Sequence, residues 1–136
     1  MSEPSSPNFA SAYQQVLNEL RLKAREDLAV EIRFESLRRW SEQSQLSVES
    51  FIDRFAVEIA HDYLSGFLNW DFCEMLANNM WHAAVVDNPG RTIELGFFED
   101  LFEAFDESEM SNPPENDRRA RTLVAEYLAK HIREKP

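Results

Sequence analysis

Glycine, cysteine and long apolar runs are scarce in this sequence. The 136 residues include only three glycines, and few stretches alternate apolar with polar side chains. Because β folds need turn glycines and alternating strands, this composition favours helices. No run approaches the roughly 18 consecutive apolar residues that a membrane span requires, so we expect no transmembrane segment.

The chain has a single cysteine, Cys73, and no basic start. One cysteine cannot form an intrachain disulfide, which fits a reducing compartment. The apolar positions around Cys73 predict a small buried side chain, because reactive thiols need exposure and nearby positive charge. The opening MSEPSSPNF has neither the basic residues nor the apolar run of a signal peptide. We therefore expect a cytoplasmic protein.

Positive charge is also scarce: 25 acidic residues face 14 basic ones, for a net charge of −11. This balance argues against a nucleic-acid partner and against an anionic membrane surface, since both require a positive face. Hydrophobic residues make up 43% of the chain and aromatic residues 12%, which argues against general disorder. We predict one helical domain over residues 9–136, preceded by a flexible tail over residues 1–8.

The densest apolar segment runs from Phe51 to Val86. Its large side chains recur at helical spacing in two groups on either side of Ser65-Gly66, which predicts a helical hairpin. With helices expected before and after it, the chain is predicted to be all-α, a single-domain bundle of five or six helices around this central hairpin. The side chains predicted to be buried include Phe55, Ile59, Cys73, Leu76, Met80, Trp81, Val85 and Phe102.

Breaks between helices are predicted near 41–47, 65–69, 87–92 and 108–116, where Pro, Gly, Ser and Asn cluster. Ser47 and Asn69 are the predicted N-caps of the two hairpin helices. The segment from Leu28 to Trp40 is ambiguous, because its apolar residues alternate between 28 and 34 as in a strand. No partner strand with a matching pattern exists, so we interpret the segment as helical, with strand left open for 28–34.

Acidic residues concentrate in the middle of the chain: between Trp40 and Asp117 seventeen acidic residues face two basic ones. Several lie three and four positions apart, on the side of a predicted helix opposite Phe98, Leu101, Phe102 and Phe105. Like charges at this spacing destabilise a helix by a few tenths of a kcal/mol per pair. Such a face is either ordinary solvated surface or the contact surface for a basic partner. The candidate partner-binding residues are Glu99, Asp100, Glu103, Asp106, Glu107, Asp71, Glu74 and Trp70.

The segment YLSGFLNWDFCEMLANNMW, followed by an acidic helix that ends in AFDESE, resembles the small acidic helical immunity proteins of bacterial toxin–immunity systems. The resemblance covers about residues 49–109 and rests on size, acidity and the hairpin. It implies a protein that neutralises a cognate toxin by direct stoichiometric binding, usually by shielding a basic cleft. The expected partner is therefore a basic protein. If the acidic helix is ordinary surface, the contact would instead involve Asp53, Asp62, Asp71 and Glu74 of the central hairpin.

The sequence contains little that indicates catalysis. Glu58-x-x-His61 matches half of the carboxylate–histidine motif of di-iron bundles, but no second copy occurs. A Gly-x-Ser-x-Gly turn, a glycine-rich phosphate loop and a Cys-x-x-Cys pair are all missing. We therefore predict a protein that is not an enzyme, with no catalytic residue, cofactor or metal. The alternatives left open are a dimeric helical adaptor or regulator, and a metal-dependent helical enzyme that uses Glu58 and His61.

Overall fold

The computed structural model describes residues 7–26, 31–88, 90 and 92–134, which form six α-helices and no β-strand. A π-helical segment, His82–Val86, directly follows the fourth helix. The predicted all-α class with five or six helices is confirmed. In chain order the helices are α1 (Pro7–Arg25), α2 (Phe34–Ser44), α3 (Val48–Leu64), α4 (Trp70–Trp81), α5 (Phe97–Ser108) and α6 (Glu115–Glu134).

The chain divides into two compact units. The N-terminal unit comprises Met1–Ile52 and Asn79–Glu94, and the C-terminal unit comprises Asp53–Asn78 and Leu95–Pro136. The single domain expected over residues 9–136 stays a prediction. Residues 1–6 of the expected tail lie outside the described residues, whereas α1 already begins at Pro7. Within the described part of the chain, no helix is both long and apolar enough to cross a membrane.

Aromatic contacts hold the N-terminal unit together. The Phe9 ring of α1 meets the Phe51 ring edge-on, with 5.9 Å between centroids, and Trp40 of α2 lies 6.3 Å from the same Phe51. All three side chains are buried. Each such pair contributes about 0.5–1.5 kcal/mol beyond the burial of its surface, so Phe51 links the beginning of α3 to both preceding helices.

Helix α2 begins later than the sequence predicts. Residues 31–33 are not helical, so the helical interpretation is wrong there, and residues 27–30 lie outside the described residues. The Phe34 backbone N–H donates a hydrogen bond of 2.8 Å to the Asp87 carboxylate, which also receives two hydrogen bonds from the Arg33 guanidinium. Asp87 lies 53 positions beyond Phe34. No local sequence pattern could indicate a helix start fixed by so distant a partner.

The predicted break at 41–47 is also shorter than expected, since α2 continues to Ser44. The Ser41 hydroxyl donates to the Arg38 carbonyl at 2.8 Å, and the Ser44 hydroxyl donates to the Trp40 carbonyl at 2.9 Å. Because these hydroxyls are satisfied within their own helix, both serines are buried without cost from unpaired polar atoms. The helix ends at Gln45, which adopts the left-handed conformation with φ of 58°.

Both predicted N-caps are confirmed. The Ser47 hydroxyl accepts a hydrogen bond of 3.1 Å from the Ser50 N–H at the start of α3. The Asn69 side-chain oxygen accepts one of 2.9 Å from the Phe72 N–H at the start of α4. Each cap satisfies an N–H group that has no partner within its helix.

In the C-terminal unit, α5 packs along α6. The ring of Phe105 on α5 meets the Tyr63 ring of α3 edge-on, 5.0 Å between centroids. The Tyr63 hydroxyl donates to the Asp117 carboxylate at the start of α6, and the Arg121 guanidinium lies 4.8 Å from the Tyr63 ring. Arg121 also donates to the backbone carbonyl of Leu64 at 3.3 Å, which satisfies an orphan carbonyl at the end of α3.

Most of the predicted core is confirmed: Phe55, Ile59, Cys73, Leu76 and Met80 are buried. The predictions for the three remaining side chains are wrong. Phe102 and Trp81 are partly exposed, and Val85 is 45% exposed. Val85 lies in the π-helical segment, where the wider turn rotates side chains away from the face that a regular α-helix would give them. On α5 the buried side is centred on Phe98, Leu101 and Phe105, and Phe102 lies at its edge.

Candidate functional site

All eight predicted partner-binding residues belong to the C-terminal unit. This unit contains fifteen acidic and seven basic residues, a formal charge of −8, against ten acidic and seven basic residues in the N-terminal unit. Five of the eight lie on α5, where Phe98, Leu101 and Phe105 form the buried side. We call the opposite side the acidic face of α5, formed by Glu99, Asp100, Glu103, Asp106 and Glu107.

Only one of these five carboxylates has an ion-pair partner among the described residues. Glu107 pairs with Arg119 of α6. Within the described residues, no Lys, Arg or His side chain forms an ion pair with the other four, of which Asp100 is partly buried and the remainder are exposed. The nearby arginines of α6 have other partners, since Arg118 pairs with Glu115 and Arg121 with Asp117. In the part of the chain that the structure describes, four carboxylates of the acidic face of α5 therefore have no countercharge.

Tyr127 of α6 lies beside this face, a neighbour that spacing along α6 could not indicate. Partial burial, and then the charges of Glu107, Glu103 and Asp100 in that order, raise the pKa of the Tyr127 hydroxyl. A partly exposed aromatic ring next to unpaired carboxylates can stack against the stem of a basic side chain while a carboxylate binds its charge.

Trp70 is only partly exposed, and its side chain contacts residues of α5. Its indole N–H donates a hydrogen bond of 2.8 Å to the Ser108 hydroxyl at the end of α5, and its ring lies 6.5 Å from the Phe105 ring. The side chain is partly exposed, with its polar atom satisfied inside the unit. Trp70 thus fixes the beginning of α4 against the end of α5, while one part of its surface stays accessible.

Asp71 and Glu74 follow Trp70 on α4. Asp71 is exposed, whereas Glu74 is partly buried and accepts a hydrogen bond of 2.5 Å from the Asn78 amide. Partial burial and a hydrogen bond shared with the Glu109 carboxyl group raise the pKa of Glu74. Glu109, the partner of Glu74 in this shared hydrogen bond, is not among the residues predicted from the sequence. The two lie 35 positions apart in the sequence, so spacing could not reveal the pair.

Asp53, His61 and Cys73, also considered from the sequence, lie in three different environments. The Asp53 carboxylate accepts a hydrogen bond of 2.7 Å from the Phe97 N–H and so caps α5. His61 is exposed. Burial raises the pKa of the Cys73 thiol, which keeps it protonated. Among the residues that the structure describes, no three His, Cys, Asp or Glu side chains are grouped so that they could hold a metal ion.

No protein-family model, curated protein or solved structure matches this chain. The resemblance to small acidic immunity proteins therefore stays a prediction. The geometry and charge of the C-terminal unit are the basis on which a function can be inferred.

Proposed function

We propose that this protein binds a basic protein through the acidic face of α5 and inhibits it, as an immunity protein neutralises a cognate bacterial toxin in the cytoplasm. The observation that carries the proposal is the row of unpaired carboxylates on α5. Glu99, Asp100, Glu103 and Asp106 lie three or four positions apart, so they form one continuous surface.

The mutual repulsion of these carboxylates supports a binding role. Repulsion between like charges at helical spacing weakens the helix by a few tenths of a kcal/mol per pair. Basic residues are available on α6, yet only Arg119 reaches an acidic residue of this face. A basic partner would supply the missing countercharge, and long-range attraction would accelerate its association.

The packing of α5 suits such a role as well. Its other side is buried by Phe98, Leu101 and Phe105, and Asp53 caps its first turn. The helix therefore presents its carboxylates on a backbone that binding does not need to order, which lowers the entropic cost of association. Inhibition would follow if the surface covers a cationic active-site cleft of the partner.

The proposal requires that a neighbouring gene encode a basic protein. The test is the association rate with that protein, measured at low and physiological ionic strength, about 0.01 M and about 0.15 M. The variant Asp100→Asn, Glu103→Gln, Asp106→Asn removes three charges and leaves the buried side of α5 unchanged. We expect its association rate at low salt to fall by about tenfold or more, with a weaker dependence on salt. Folding stability should hold or rise slightly, because repulsion within α5 is relieved.

A matched control variant carries Glu26→Gln, Glu42→Gln and Glu94→Gln. These three exposed residues belong to the N-terminal unit, so the control removes the same charge from another surface. It should retain most of the wild-type association rate. If both variants slow association equally, net charge rather than the acidic face of α5 drives binding, and the proposal is wrong. Unchanged association of the α5 variant would contradict it as well.

A further inference from the structure

A cleft of about 260 Å³ lies in the C-terminal unit, apart from the exposed residues of α5. It is bordered by the first turn of α4 and by the residues that lead into α6. Pockets that enclose drug-sized ligands measure roughly 300–1,000 Å³, so this cleft has the size for a single side chain. Its lining includes Trp70, Asp71, Pro113, Pro114, Asn116 and Asp117.

Asn116 is the buried polar side chain in the lining of the cleft. Only 7% of its surface is exposed, and its side-chain oxygen accepts a hydrogen bond of 2.7 Å from the Asp117 N–H. Within the described part of the chain, its side-chain NH₂ group donates to no acceptor. A ligand that offers a carbonyl oxygen in the cleft could accept a hydrogen bond from this group.

The charged residues that line the cleft favour a ligand of positive charge. Arg121 also lines the cleft, but its guanidinium is neutralised by Asp117 at 3.2 Å and donates to the backbone carbonyls of Tyr63 and Leu64. The exposed Asp71 carboxylate forms no hydrogen bond or ion pair with any described residue. The cleft therefore has a net charge of −1, which favours a cation and disfavours a phosphate or a carboxylate.

The walls of the cleft fit the stem of a long side chain. Trp70 contributes the accessible part of an indole whose N–H is already bonded to Ser108, so only its apolar surface remains for a ligand. Pro113 and Pro114 are exposed and add two further apolar rings. Lysine and arginine combine an apolar stem with a charged head, the combination that an aromatic wall beside a carboxylate accommodates.

We propose that this cleft receives a lysine or arginine side chain from an extended segment of the basic partner. The charged head binds Asp71, the stem lies against Trp70 and the two prolines, and a backbone carbonyl of the segment accepts a hydrogen bond from the Asn116 NH₂ group. This inference rests on the proposed function, because the basic partner is the one proposed there. It adds one specific binding site to the long-range electrostatic attraction of α5.

The test uses the full-length protein and the tripeptide amide acetyl-Gly-Arg-Gly-NH₂, without the partner. Two-dimensional ¹⁵N NMR spectra recorded during a titration should show saturable shifts of the Asn116 side-chain NH₂ and of the Trp70 indole N–H. The same peptide with citrulline in place of arginine keeps the shape but loses the charge. It should bind about tenfold more weakly or worse, since a charge-assisted hydrogen bond is lost.

Two variants complete the test. Asp71→Asn, an exposed substitution, should weaken binding of the arginine peptide by about tenfold. Glu42→Gln removes an equal charge from an exposed position of the N-terminal unit and should leave binding unchanged. Shifts that are absent, equal for both peptides or insensitive to Asp71→Asn would overturn the proposal. Because the partner is not used, a failure of the α5 variant to slow partner association would contradict the proposed function without affecting this result.

Discussion

The Asp87 carboxylate receives two hydrogen bonds of 3.1 Å from the Arg33 guanidinium, although the two residues lie 54 positions apart. The same carboxylate caps α2 through the Phe34 N–H. The hydrogen bonds from Arg33 and then from Phe34 lower the pKa of Asp87. Asp87 therefore connects the beginning of α2 with the segment that follows the π-helix, and we expect this contact to depend on pH.

Acid should weaken this contact. Since the pKa of Asp87 in the folded protein lies below its unfolded value of about 3.9, its stabilisation is complete above that pH and is lost as pH falls through the folded-state pKa. Asp87→Asn should lower the free energy of unfolding at neutral pH, and its difference from wild type should shrink below about pH 4. Denaturant titrations across this range measure the difference. Asp106→Asn serves as the exposed control, and a difference that is constant with pH would contradict the prediction.

The Glu74–Glu109 pair should lower the free energy of unfolding at neutral pH and cease to do so in acid, the opposite of Asp87. A carboxyl group whose pKa is raised on folding favours the folded state in acid and opposes it at higher pH. Glu109→Gln retains a hydrogen-bonding group and removes the neighbouring charge, so it should raise the free energy of unfolding at neutral pH. The gain should diminish as pH falls through about 4.3, where the Glu74 carboxyl group becomes protonated in the unfolded chain as well. Unfolding curves for Glu109→Gln and for Glu103→Gln, a control on the exposed face of α5, would distinguish the pair from a general reduction of charge.

Gly96 should be the least replaceable glycine among those described. Its φ of 60° and ψ of −139° belong to a region that is nearly restricted to glycine, and a Cβ atom there would overlap the Asp53 carboxylate that caps α5. Gly96→Ala should therefore lower the free energy of unfolding by about 1–3 kcal/mol for the backbone, with a further loss from the displaced cap. Gly66→Ala is the matched control, because its φ is also positive, at 90°, but a Cβ atom would meet nothing within 4 Å. Equal losses would show that the Asp53 contact is unimportant.

Two phenylalanines of α5 provide a direct test of its packing. Phe105 is 1% exposed and contacts both Tyr63 and Trp70, whereas Phe102 is partly exposed. Phe105→Ala should cost about 3–5 kcal/mol, and Phe102→Ala should cost less because it leaves a smaller cavity. Chemical denaturation of the two variants gives the comparison. A larger loss for Phe102→Ala would mean that the inward side of α5 has been assigned incorrectly.

Helix class and several helix boundaries could be predicted because their causes are local. Ser47 and Asn69 cap N–H groups three positions away, so the cap and the helix that it begins are adjacent in the sequence. The start of α2 is different, since the Phe34 N–H that begins this helix donates its hydrogen bond to the distant Asp87 carboxylate. The serines at 41 and 44 were misleading for a related reason. Serine occurs in linkers and in helices alike, and only the backbone carbonyls that its hydroxyl reaches distinguish the two.

The acidic face of α5 could also be predicted from spacing, because residues three and four apart on a helix share one side whatever surrounds them. Which of its charges are neutralised depends on contacts between helices. Arg119 reaches Glu107, Glu109 lies beside Glu74, and Trp70 donates to Ser108 across 38 positions. The cleft at Asn116 likewise exists only where the beginnings of two helices meet. Periodicity describes one helix at a time, whereas pairing and burial depend on which helices the folded chain brings together.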